Sequence, residues 1–278
     1  MRLCAIYNVW SDYDLLIHSV NNVHPLVDGV LIICSENSNY GEYCKQYPYW
    51  EEDVFYNTNV RTFGFEPESY LKPIQNETNK RNFGLDIARQ QGYTHFIMMD
   101  ADEFYDPAEF RKAKERFHVE KDLKGLVVES QVYFGSPELT IGNDTTLVPF
   151  IHELTPTIKH EFNRKYPFAW IDGKIRIDPT RSLNIDSGIK MADCLMHHYS
   201  WVRKDYSKKI RNSTARANLE RSTIMQDLLH AKEGYYCEFY QKHLVRVPNR
   251  FGIPDYGVFS DKDLQSGGSP VSPGNEAN

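Results

Sequence analysis

The stretch Thr94-His95-Phe96-Ile97-Met98-Met99-Asp100-Ala101-Asp102-Glu103 limits what this chain can fold into, because a nearly unbroken apolar run ends abruptly in acidic side chains. A run without polar alternation predicts a central strand covered on both faces, as in parallel sheets flanked by helices. Ligands of such sheets gather beyond the carboxyl ends of the strands. Asp100 and Asp102 are two residues apart and would point the same way on an extended chain. At about 4 Å and an effective dielectric of ~20, two carboxylates repel by about 4 kcal/mol. Protonation, solvent or a cation relieves that repulsion. Hard oxygen donors suit Mg²⁺ or Mn²⁺, and a site with few carboxylates leaves coordination positions open for phosphate oxygens.

Two plainer readings compete with a metal. An EF-hand loop needs Asp or Asn where Phe104 stands, Gly where Tyr105 stands and Glu where Arg111 stands, so it fails at all of these positions. The acids could instead belong to a polar loop entering the next helix, since Asp106-Pro107 is itself an N-cap followed by proline at the first helical position. The metal reading is preferred because the acids close a buried strand.

Around this strand the chain alternates. Leu3 to Val9 is a first apolar strand, Ser11-Asp12-Tyr13-Asp14 starts a helix that ends at His24-Pro25, and Val30 to Cys34 is a second strand. A third strand is predicted near Val54 to Val60, a helix over Asn76 to Gln91 with Gly92 as its stop, and a charged helix over Pro107 to Phe117. Gly125 to Phe134 is a Val-rich strand. From Gly135 to Arg181 the pattern turns irregular and aromatic, with short strands near Leu147 to Ile151 and Lys174 to Ile177. Ala192 to Trp201 is a strand carrying His197-His198-Tyr199, and a basic helical segment follows from Val202 to His230.

This order predicts an α/β fold. Its 278 residues, 41% hydrophobic, suffice for one domain over 1–265, with a ligand-binding half at 1–135 and a second half at 136–265. The Gly/Ser/Pro-rich stretch 266–278 is expected to be a disordered tail. The cysteines Cys4, Cys34, Cys44, Cys194 and Cys237 are scattered and odd in number, which reads as reduced thiols. No apolar segment approaches the ~20 residues of a membrane span, and the N-terminus lacks a signal-peptide profile, so the expected location is the cytoplasm. A net charge of -6 argues against general coating of nucleic acid.

Asn79-Lys80-Arg81-Asn82-Phe83-Gly84-Leu85-Asp86-Ile87-Ala88, then Gly92-Tyr93, then the strand ending Asp100-Ala101-Asp102, together resemble the core of GT-A glycosyltransferases, and most nearly those of family 2. The likeness is looser over the first strand, helix and second strand. There the family's Asp-Asp-Gly-Ser type loop is replaced by Cys34-Ser35-Glu36-Asn37-Ser38.

The resemblance implies a GT-A fold, a Rossmann-like mixed sheet flanked by helices. It also implies a nucleoside-diphosphate sugar donor, UDP- or GDP-linked, with Mn²⁺ or Mg²⁺ held by Asp-x-Asp against the diphosphate. By that resemblance Asp102 is a direct metal ligand, and Asp100 contacts ribose, a metal-bound water or the metal itself. His198 is the choice for a further ligand; its neighbour His197 points to the opposite side of a strand. Asn8, Glu36, Lys80, Arg81, Asn82 and Arg203 are the remaining expected donor contacts.

Family 2 implies inversion, which needs a carboxylate base; Glu129, Glu153, Asp172, Asp178, Asp186 and Asp193 stay unranked for that role. The acceptor is left open between a glycan, a lipid-linked molecule, a protein and a modified DNA base. For the DNA base, the stretch Arg203 to Arg221 would guide the polyanion.

Two other functions share such acids. A sugar-nucleotide nucleotidyltransferase would carry a glycine-rich basic loop after the first strand, where this chain has Asn8-Val9-Trp10-Ser11-Asp12. A non-catalytic carbohydrate- or nucleic-acid-binding protein would not require the acids to be intact.

Overall fold

The computed structural model describes residues 1–11, 13–44, 59–162, 170–171, 174–175, 177 and 180–257. In β1 (Leu3–Val9), Leu3, Ala5, Tyr7 and Val9 pack on one side of the sheet and Cys4 and Ile6 on the other, all of them buried. The strands β2 (Gly29–Cys34) and β4 (His95–Met99) divide in the same way, Val30 and Ile32 against Leu31 and Ile33, and Ile97 and Met99 against Phe96 and Met98. The first side meets α1 (Tyr13–Val23) through Leu16, Val20 and Val23, and the second meets α2 (Pro73–Gln90) through Leu85 and Ala88. Each fully buried Leu or Ile stabilises by about 1.5–3 kcal/mol, so both faces must be apolar and the sequence loses its alternation.

Gly84 sets how close α2 lies. A Cβ there would stand 2.5 Å from Ile6 Cγ2 and 3.3 Å from Ile33 Cγ1, so only glycine lets this turn of helix rest on β1 and β2. That gives the glycine of the Asn-x-Gly motif a packing reason.

The strand β3 (Val60–Gly64) lies parallel beside β2. Beyond β4 the chain forms β5 (Glu103–Tyr105), α3 (Pro107–Val119), β6 (Gly125–Phe134), β7 (Ser136–Glu153), the short pair β8 (Trp170–Ile171) and β9 (Lys174–Ile175), and β10 (Ile189–Trp201). Three short helices follow, α4 (Tyr206–Asn212), α5 (Arg216–Leu219) and α6 (Ile224–Leu229), then β11 (Tyr236–Cys237), β12 (Lys242–His243) and β13 (Val245–Arg246).

The large sheet runs β3-β2-β1-β4-β7-β6-β10-β5, with β13 paired to β7. The links β1–β2, β1–β4, β2–β3 and β6–β10 are parallel, and those of β7 with β4 and β6 and of β5 with β10 are antiparallel. This is the mixed-sheet α/β architecture expected from the sequence. The chain moves outward from β1 to β3, then returns to lay β4 on the other side of β1. Where strand order reverses in this way, a crevice opens at the carboxyl ends.

Several expectations need adjusting. The irregular stretch after Gly135 begins as one long strand, β7, in a hairpin with β6 turned by Gly135 at φ +74°. Register shifts along the β6–β7 pairing break the period-2 pattern that would have revealed it. The basic segment after Val202 is divided into short helices. Ser213 and Ser222 turn their hydroxyls onto the backbone N–H groups of Ala215 and Ile224, in place of a continuous helix. Of the third strand expected at Val54 to Val60, 54–58 lie outside the described residues, and the described strand starts at Val60; the tail 266–278 also lies outside them. No helix among the described residues is long and apolar enough to cross a membrane.

Candidate functional site

A cleft of about 790 Å³ lies at the carboxyl ends of β1, β2 and β4. Asn8 reaches it from β1, Lys80 from α2, Asp100 and Asp102 from the end of β4, and His198 from β10. Asp106 caps α3, accepting from Ala108 N at 2.8 Å and Glu109 N at 3.2 Å. The earlier acids are thus not needed as helix caps.

Strand pairing assembles the acidic centre. β5 runs antiparallel to β10 with Glu103 opposite His198, and Tyr199 N donates to Asp102 O at 2.8 Å. Asp102, Glu103 and His198 each offer one donor atom, and these atoms lie within 4.8 Å of one another. The alternation along β10 turns His197 the other way, where its Nδ1 is 2.9 Å from Tyr133 Oη. Burial pulls the His197 pKa down to about 4, so this ring is neutral at physiological pH.

Asp102 is buried among basic side chains. Arg203 Nη2 donates to its Oδ2 at 2.6 Å, Lys209 Nζ donates to the same oxygen at 3.2 Å, and His198 Nε2 stands 3.5 Å from Oδ1. Arg203 Nε and Lys209 Nζ are also tied to Ser200, through its carbonyl at 2.8 Å and its hydroxyl at 2.6 Å. Burial works against ionisation of Asp102, but Lys209, His198 and Arg203 outweigh it and hold the carboxyl well below its ordinary range.

Asp100 and Glu103 share a different cation, Arg181. Its Nη2 donates to Asp100 Oδ2 at 2.5 Å and to Glu103 Oε1, and its Nη1 to Glu103 Oε2 at 3.1 Å. Arg81 Nη2 adds a 3.4 Å contact to Asp100 Oδ1. For Asp100, whose side chain is a third exposed, Arg181 and Arg81 overcome burial and the carboxyl stays ionised. Glu103 is fully buried, and that burial pushes its carboxyl upward against the pull of Arg181.

The motif on α2 divides its labour. Lys80 lines the cleft and donates to Val9 O at 2.5 Å, fastening the helix to the end of β1; burial lowers its pKa to about 7. Arg81 lies buried behind Asp100 and pairs with Glu77 at 2.9 Å. Asn82 is not brought into the cleft. Its carboxamide donates to His160 O at 3.1 Å and accepts from His160 N at 2.7 Å. Because His160 bridges to Leu183, two residues beyond Arg181, this clamp holds the segment that delivers Arg181.

Glu36 is exposed and outside the cleft lining, which Asn37 and Asn39 of the same loop join instead. None of Glu129, Glu153, Asp186 and Asp193 lines the cleft, and Asp172 and Asp178 lie outside the described residues. Sequence reading missed Glu103 as a donor, along with Arg181; Lys209 belongs to the basic cluster Arg203, Lys204, Lys208, Lys209 and Arg211 that the sequence offers for pairing with a diphosphate, and of that cluster Arg203 and Lys209 reach the cleft. For Glu103 a signal existed, a third acid directly after Asp-x-Asp; Arg181 reaches the site through tertiary contacts that local pattern does not encode.

No family model matches the chain and no curated protein is similar to it in sequence. Among solved structures it is similar to S. aureus TarS 1-349, at 14% identity and TM-score 0.46, over 84% of this chain and 66% of that one. It is also similar to the same protein in complex with UDP, at 14% identity and TM-score 0.40, over 55% and 47% of the two chains. The complex with UDP-GlcNAc matches at 15% identity and TM-score 0.39, over 55% and 46%. The chain thus spans about half the length of those two ligand-bound structures.

Proposed function

We propose that the protein is a metal-dependent glycosyltransferase that moves a sugar from a nucleoside-diphosphate donor to an acceptor, with inversion. The observation that carries the reading is the placement of Asp100-Ala101-Asp102 at the strand-order reversal, with Asp102, Glu103 and His198 offering donors within 4.8 Å of one another. Ligands bound at ~2.1 Å to Mg²⁺ are separated by at most ~4.2 Å. Small inward movements would therefore let these oxygen and nitrogen donors hold Mg²⁺ or Mn²⁺.

When bound, such an ion supplies positive charge where the diphosphate departs, stabilising the transition state more than the ground state. In the transfer, an acceptor oxygen bonds to the anomeric carbon while the carbon–oxygen bond to the diphosphate breaks. The electron pair leaves with the diphosphate, and the hydroxyl proton passes to a base.

The chain's own residues would serve the donor and its leaving group. Arg203 and Lys209 sit beside Asp102 and offer further charge to the leaving group. Arg181 holds Asp100 and Glu103 in place, so that their mutual repulsion does not spread the site. Asn8, Asn37 and Asn39 present amide groups at the carboxyl ends of β1 and β2, where the reading puts the base and ribose. Preorganisation of this kind raises turnover rather than mere affinity.

The test is transfer of radiolabelled sugar from UDP- and GDP-linked donors, with Mn²⁺ or Mg²⁺ and with EDTA. The reading expects activity only with the ion and loss of it in Asp102→Asn. Full activity in EDTA contradicts the metal role, and pyrophosphate released from a nucleoside triphosphate would favour a nucleotidyltransferase.

A further inference from the structure

A second cavity, of about 390 Å³, adjoins the cleft on the α1 side and shares Ser11, Arg203 and Lys209 with it. The Asp102 ion-pair cluster therefore stands between two compartments. The larger reaches α2 through Ile74, Glu77 and Lys80, and the smaller is set among the starts of α1 and α4 and the chain around Tyr43 and Tyr256.

The small cavity combines aromatic surface with the Lys208 ammonium, which acts on Glu42 only at longer range than an ion pair. Tyr43 is 58% exposed and offers its ring to the space, with Tyr13 and Tyr256 also at the wall. Most charged groups there are already matched. Lys204 pairs with Asp14 at 2.8 Å, Glu42 accepts from Asn212 at 2.7 Å and lies 3.4 Å from Arg211, and Asp205 accepts from Lys208 N at 2.7 Å as the cap of α4. Lys208 differs: among the described residues no carboxylate lies within ion-pair distance of its Nζ. That ammonium sits 4.7 Å from the centre of the Trp10 ring and 3.7 Å from Cys44 Sγ.

We infer that this cavity binds the acceptor, and that the acceptor presents a sugar unit carrying one acidic group, a carboxylate or a phosphate. Aromatic rings cover the apolar faces of a sugar, the matched carboxylates and amines exchange hydrogen bonds with its hydroxyls, and Lys208 neutralises its acid. A volume of about 390 Å³ suits a small ligand rather than a polymer chain threading through. The inference rests on the transferase reading for the word acceptor, while binding of the sugar itself is tested without turnover.

The experiment is saturation-transfer NMR and calorimetry on the full chain with cellobiouronic acid and glucose 6-phosphate, each against its uncharged counterpart, cellobiose and glucose. The acidic member of at least one pair should bind at least fivefold more tightly, weaken at 0.5 M NaCl, and lose at least fivefold in Lys208→Gln and in Tyr43→Ala, with binding of UDP or GDP, whichever the unaltered chain takes, unchanged in both variants. A carboxylate site is indicated by the first pair and a phosphate site by the second. Equal binding of charged and uncharged sugars, no binding of either, or full binding in Lys208→Gln overturns the inference. Absence of both UDP and GDP binding in the unaltered chain would instead count against the transferase reading.

Discussion

Glu103 and His198 sit opposite each other where β5 pairs with β10, and this register brings both side chains to Asp102. The acid-ended strand β4 supplies Asp102 only one residue before β5 begins, so a slip of that pairing by one residue would turn Glu103 and His198 to opposite faces. The site is built by a tertiary register as much as by the motif itself.

Removing the cation shared by Asp100 and Glu103 should be costly. Arg181→Met leaves the buried Glu103 without its cation and Asp100 with Arg81 alone, and breaking a buried pair typically costs about 3–5 kcal/mol. Chemical denaturation should show a loss of that order at pH 7. The loss should shrink as pH falls and the stranded carboxylates protonate.

Acid should weaken the fold through Asp100 and Asp102. Both carboxyls are held below their unfolded values, so their stabilisation is present above about pH 4 and is lost as pH falls through the depressed folded values. Asp102→Asn should therefore flatten the acid limb of a stability–pH curve measured by thermal melting. An unchanged acid limb would contradict the cation cluster around Asp102.

Lys80 predicts an effect at the other end of the scale. Its folded pKa, about 7, lies below the unfolded value of about 10.4. Between those values the unfolded chain binds more protons, so stability should rise with pH over that window and level off below about pH 7. Lys80→Met should remove that rise while the contribution of other groups remains, as read by denaturant midpoints from pH 7 to 10.

Gly84→Val tests the contact that sets α2 against the sheet. The added side chain meets Ile6 and Ile33, and overpacking of this kind costs about 1–3 kcal/mol. The melting temperature should fall. Displacement of α2 should also weaken nucleotide binding, because Lys80 rides on the same helix.

How much of this was legible in the sequence follows from which contacts are local. The strands β1, β2 and β4 could be read directly, since burial on both faces leaves uninterrupted apolar runs, and β6 has the bounds expected for it, Gly125–Phe134. The helix cap Asp106 was equally visible. The long strand β7 was not, because its register shifts mask alternation. Within the site, Asp100, Asp102 and His198 came from motif and position, while Asn82 clamps His160 and Glu36 lies outside the cleft lining that Asn37 and Asn39 join. Arg181 and Lys209 lie 81 and 107 residues from the acids they neutralise, at Asp100 and Asp102, a separation no short window can span.

The most direct test is an anomalous-difference map from crystals soaked with Mn²⁺ and UDP or GDP. A manganese peak is expected about 2.2 Å from an Asp102 carboxylate oxygen, a distance ordinary for a small divalent ion, with the diphosphate on its open side. A nucleotide bound in the cleft with no manganese peak near Asp102, and Arg203 and Lys209 still paired to that carboxylate, would contradict it.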